Sequence, residues 1–201
     1  MTATPGVHTV LWRFHGPVCE NGNSLDDRMM SNSKSHCSNE DNVNAQFRAA
    51  IKRFDEENSK DPNHEIENGV AVPRELAHAK RLSDWVHRLC PEASEELQLA
   101  ARCQHIRRWA IPRASYEMNR IGYLKWRSEL KTFHAQKSGE ILREVGYTEE
   151  KIARVQSLNL KKGFPNDPEC QVLEDALCLV FLEIQFSQLA SKTPEDKMID
   201  V

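Results

Sequence analysis

Leu173-Glu174-Asp175-Ala176-Leu177-Cys178-Leu179-Val180-Phe181-Leu182-Glu183-Ile184 decides the fold. The run from Ala176 to Leu182 is apolar without a break, and the wider stretch from Pro168 to about Ser191 carries apolar side chains on nearly every face of a helix. A helix apolar all round is one that other elements surround. Seven residues fall far short of the ~20 that cross a hydrocarbon layer, so this reading predicts a central core helix and an all-α fold.

Working outward, the 3.6-residue period dominates and alternating strand patterns are nearly absent. Phe47, Ala50, Ile51 and Phe54 mark a helix over 45–59, stopped by Asp61-Pro62-Asn63. After a polar turn with Gly69, Pro73 opens a second helix whose stripe is Leu76, Ala79, Leu82, Val86 and Leu89. Ser94 caps a third, with Glu95 and Glu96 in its first turn and Pro112 as its stop. A fourth runs from Ser115 to about Val145, and Thr148 caps a fifth that ends at Gly163-Phe164-Pro165. The helix from Pro168 is the sixth.

Residues 1–45 are expected to form a disordered tail. Between Cys19 and Asn44 the only large apolar residues are Leu25, Met29, Met30 and Val43, among repeated Asn and Ser. The domain is expected over 46–201. Thr193-Pro194-Glu195-Asp196 has the pattern of a helix start with only five residues after it, which reads as a domain shortened at its C-terminus.

The 201 residues hold 27 Lys and Arg against 30 Asp and Glu, a net charge of −3. That balance argues against a chain drawn as a whole to nucleic acid or to a membrane surface. Val7-His8-Thr9-Val10-Leu11-Trp12 is interrupted by Arg13 and His15, so no secretory leader is read there. The six cysteines make no C-x-x-C pair and are read as reduced, in an intracellular and cytoplasmic protein.

His78, with Leu82, Trp85 and Leu89 after it, falls on the inward face of the second helix. Gln104-His105 comes after Leu97, Ala100 and Ala101 on the third, and Asp175 lies on the sixth. Glu75-Leu76-Ala77-His78, Cys103-Gln104-His105-Ile106 and Leu173-Glu174-Asp175-Ala176 together resemble the H…HD…D pattern of the HD (His-Asp) superfamily. Gln104-His105-Ile106-Arg107-Arg108-Trp109-Ala110-Ile111-Pro112-Arg113 and the segment from Leu173 to Glu183 are most similar to a group within it called domain of unknown function 4202. The resemblance implies an HD-like bundle of about six helices and a metal-dependent phosphohydrolase. Carried over by residue, it implies His78, His105 and Asp175 as metal ligands. The doublet reads Gln104-His105 where hydrolytic members have His-Asp, which removes one negative charge. A His2Asp set remains a reasonable site for Zn, Mn or Fe, and His134 on the fourth helix is a candidate fourth ligand.

Eight basic residues and two acids lie between Arg102 and Lys131, interleaved with Trp109, Tyr116, Tyr123 and Trp126. Such a mixture suits a phosphate attached to a ring. Gln104, Arg107, Arg108, Arg113, Arg120, Lys125 and Arg127 are the candidate phosphate or substrate contacts. Two functions are compatible with these features. One is a metal-dependent hydrolase of a nucleotide or other small phosphorylated metabolite. The other is a non-catalytic module that binds nucleotide, RNA or protein through residues 102–131, with no membrane partner. No G-x-x-x-x-G-K-[ST], G-x-G-x-x-G or G-x-S-x-G occurs, so motifs of the P-loop, Rossmann and serine-hydrolase classes are absent.

Overall fold

The computed structural model describes residues 34–184 and 186. They form six α-helices: α1 (Lys34–Asn58), α2 (Arg74–Leu89), α3 (Glu95–Cys103), α4 (Arg120–Glu144), α5 (Glu149–Asn159) and α6 (Pro168–Ile184). Two short 3-10 turns, Arg108–Ala110 and Arg113–Ser115, separate α3 from α4. The all-α expectation holds. Helix α1 begins at Lys34, ahead of the predicted boundary at 45, and the rest of the expected tail lies outside the described residues. So does the helix start read at Thr193-Pro194.

One element departs from an all-helical reading. An antiparallel hairpin, β1 (His64–Glu67) and β2 (Val70–Pro73), stands between α1 and α2. Its turn is Asn68-Gly69, with φ of 50° and 81°, the left-handed pair that a two-residue hairpin loop requires. Buried Asp61 ties the entry of the hairpin to the start of α2. One carboxylate oxygen accepts the Asn63 N–H at 2.9 Å and the other accepts the Glu75 N–H at 3.0 Å, in the first turn of α2. The segment that stops α1 therefore also fixes the start of the helix that carries Glu75 and His78.

Helix ends obey local chemistry. Ser94 accepts the Leu97 N–H, Asn119 the Gly122 N–H and Thr148 the Lys151 N–H. At the end of α4, Gly146 takes φ of 92° and Tyr147 N–H reaches back to the Leu142 carbonyl at 3.0 Å, a bond that needs the left-handed residue.

The predicted central helix is not the central one. Leu97, Leu99, Ala100, Ala101 and Cys103 of α3 are fully buried, surrounded by α1, α2, α5 and α6. Helix α6 buries one stripe, Cys170, Leu173, Ala176 and Val180, against its neighbours, α2 foremost, and leaves Phe181 and Leu182 exposed. Its apolar composition exceeds what its position buries among the described residues. Arg102, next to the core of α3, closes a fork on Asp55 of α1 with two 2.7 Å bonds.

Candidate metal centre

Helix α3 does not continue to Pro112 as its composition predicts. It stops at Cys103, and Arg107 adopts a left-handed φ of 53° while its N–H binds Asn58 Oδ1 at 3.1 Å. His105, just ahead of that kink, meets α2 at Glu75 and His78, while Arg107 and Arg108 go to different neighbours. On α2, Glu75 and His78 are one turn apart and share a face.

These elements bring three donors together. One ligand atom each from Glu75, His78 and His105 lies within 4.8 Å of the other two. The His78 and His105 rings have centroids 4.4 Å apart, and His105 Nδ1 is 3.8 Å from Glu75 Oε2. His134, buried on α4, places its ring 5.8 Å from that of His105. Its Nδ1–H donates to the Ile106 carbonyl at 2.8 Å, which leaves the Nε2 lone pair as the free one.

Buried polar atoms ordinarily find partners. Here Glu75 Oε2, His78 Nδ1, Gln104 Oε1 and His134 Nε2 have none. Burial pushes the Glu75 carboxyl up to about 7, against the opposing pull of Arg108. Burial, followed by Arg108 and Arg81, brings His78 down to about 4. Burial also brings His134 to about 4, and it holds His105 well below its ordinary value, with His78 and Arg108 adding to the effect. At neutral pH the three imidazoles are therefore uncharged, the form that binds metal. Two neutral imidazoles and one carboxylate fit Zn, Mn or Fe. The cluster passes the chemical test for a metal, with Glu75 as its carboxylate.

Asp175 does not join them, which corrects the predicted ligand set. It lies on the side of α6 away from the buried stripe, exposed, accepting a hydrogen bond from Gln171 Nε2 at 2.7 Å. Its neighbour Glu174 turns inward, accepts the Lys161 ammonium at 2.5 Å and keeps a buried Oε1 without a partner. Sequence reasoning misses Glu75, although its spacing three residues before His78 is the local signal for a shared helix face.

The basic stretch also divides. Arg108 is half-buried, its guanidinium 4.9 Å from the centre of the Trp126 ring and 4.0 Å from Glu75 Oε1, so it alone of the predicted arginines borders the centre. Arg107 turns to Glu57 at 3.6 Å. Arg113 is spent on the chain itself, donating to the carbonyls of Tyr116, Glu117 and Asn119. Arg120, Lys125 and Arg127 are exposed on the first turns of α4, Arg127 stacked 5.7 Å over Tyr123. Gln104 is buried beside His105. An open groove of about 540 Å³, lined by Phe47, Ile51, Leu76 and Lys80, lies between α1 and α2, on the face of α2 turned away from Glu75 and His78.

A family model described as a domain of unknown function (DUF4202) matches residues 48–201. No curated protein and no solved structure matches the chain.

Proposed function

The chain belongs to the family called domain of unknown function 4202, and we propose that it is a metal-dependent phosphohydrolase of the HD type. Its substrate is a nucleotide or another small phosphorylated metabolite, and its setting is the cytoplasm. The observation that carries this reading is the convergence of Glu75, His78 and His105, with buried donor atoms that no protein group satisfies.

Glu75, His78 and His105 hold the cation, and His134 stands beside them as a further donor. A divalent metal bound there supplies Lewis acidity and lowers the pKa of water. The chain's own residues supply the rest. Arg108 is kept over Trp126 by stacking and orients an anionic group toward the centre. The Ile106 carbonyl holds His134 in one tautomer. Gln104 offers a neutral contact where hydrolytic HD proteins carry a ligand.

A phosphate-release screen over nucleotides and sugar phosphates, with the protein loaded in turn with Mn, Zn and Fe, tests the reading. Release by the parent protein that disappears in Glu75→Gln and His78→Ala supports it. No release from any fully loaded form refutes it.

A second reading has its own observation. Arg107 and Arg113 are committed to internal partners, which leaves a thin phosphate clamp. A non-catalytic module binding nucleotide, RNA or protein accommodates that loss, and its sign is tight ligand binding by a metal-free chain.

A further inference from the structure

The outward side of the first turns of α4 is built in an unusual way. Met118, Ile121 and Leu124 are 80%, 75% and 56% exposed. In helical projection Ile121 and Leu124 lie opposite the buried stripe of Gly122, Trp126 and Leu130. Lys125 borders them on one side and Arg120 and Arg127 on the other, all three exposed. Among the described residues no acidic side chain pairs with these cations. The two acids nearby are otherwise engaged, Glu117 with Asn119 and Glu129 with the Tyr116 hydroxyl.

The backbone beneath is fixed rather than loose. Arg113 binds the carbonyls of Tyr116, Glu117 and Asn119 at 3.1, 2.7 and 3.3 Å, and Asn119 caps the helix. A Cβ on Gly122 would stand 2.2 Å from the Glu117 carbonyl oxygen, so the turn and the helix touch directly. The apolar side chains are thus held outward by the bonding of the chain beneath them and stand proud of the surface instead of lining a groove. Protruding apolar groups suit a soft layer that closes around them, and a rim of cations selects one that is negatively charged. Tyr123, partly exposed, lies under Arg127 of the rim, its ring 5.7 Å from that guanidinium.

From this arrangement we infer that the face formed by Met118, Ile121 and Leu124, rimmed by Arg120, Lys125 and Arg127, seats the protein on an anionic lipid surface. The inference is independent of the metal centre. The overall charge of −3 argues against attraction of the whole chain to such a surface, but a local patch acts within a Debye length of about 8–10 Å. Among the described residues no helix is long and apolar enough to cross a membrane, so the contact is peripheral.

The test is co-sedimentation of the full chain with vesicles of phosphatidylcholine alone and of phosphatidylcholine with phosphatidylserine. Each cation near an anionic surface strengthens binding about fivefold, so three together give about a hundredfold preference for the anionic vesicles, shrinking with added salt. Met118→Gln/Ile121→Gln/Leu124→Gln is expected to weaken binding at least about tenfold, and Arg120→Gln/Lys125→Gln/Arg127→Gln to abolish the preference. All six positions are exposed, and unchanged thermal unfolding of both variants verifies that the fold is intact. Equal pelleting with neutral and anionic vesicles, or none, overturns the inference. So does binding of a uridine oligonucleotide that displaces the vesicles and needs the cations but not Ile121 and Leu124, because it reassigns the face to nucleic acid.

Discussion

Alanine at position 122 replaces a helical glycine, a change that ordinarily gains about 1 kcal/mol. Here the new methyl lands 2.2 Å from the Glu117 carbonyl oxygen and 2.9 Å from its carbon. No side-chain rotation relieves that contact, since both atoms are backbone. The carbonyl is itself gripped by Arg113 at 2.7 Å. The turn from Tyr116 to Asn119 must therefore move. Overpacking of this kind costs about 1–3 kcal/mol, and a weakened charged hydrogen bond adds about 1.5 kcal/mol. Set against the propensity gain, Gly122→Ala is expected to destabilise the protein by about 2 kcal/mol, a fall of about 4–8 °C in Tm. Arg113→Ala frees the turn, so Gly122→Ala should cost at least about 1 kcal/mol less in that background. Thermal unfolding of the parent, both single variants and the double variant measures the difference. A higher Tm for Gly122→Ala, or the same penalty in both backgrounds, refutes the reasoning.

Other predictions rest on separate contacts. Asp167 caps α6 and pairs with Arg154, and the Arg154 hydrogen bond holds its carboxyl down to about 2 from an ordinary 3.8. A carboxylate lowered on folding stabilises above its unfolded pKa and loses that contribution as pH falls from about 4 toward 2. After allowance for solvent screening, Asp167→Asn should be about 1–2 kcal/mol less stable at neutral pH, with the gap closing by about pH 2; denaturant melts that keep a constant gap contradict this. Phe54, fully buried between helices, should cost about 3–5 kcal/mol as Phe54→Ala, and a loss below about 1 kcal/mol would mean the core is misplaced.

Helix starts at Ser94 and Thr148 were legible in the sequence because a side-chain cap and an acidic first turn are local features. The break after Cys103 was not, because it depends on Asn58, distant in sequence, holding the Arg107 N–H. The hairpin carried a local signal in Asn68-Gly69, but strands of four residues are too short to show alternation. Composition misplaced the centre of the fold, since burial depends on neighbours: α3 is enclosed and the more apolar α6 is one-sided. At the candidate centre His78, His105 and His134 were found from their inward helical positions. Asp175 was chosen as a carboxylate on a helix read as central and then by resemblance, and one residue of helical rotation separates it from inward-facing Glu174. The carboxylate that meets the imidazoles is Glu75.

Metal content per chain, measured by mass spectrometry after loading with Mn or Zn and removal of free ion, tests the central claim most directly. One equivalent bound by the parent and by Asp175→Asn, and lost in Glu75→Gln and His78→Ala, is the predicted result. A parent chain that retains no metal, or an ion that survives Glu75→Gln and is lost in Asp175→Asn, contradicts it.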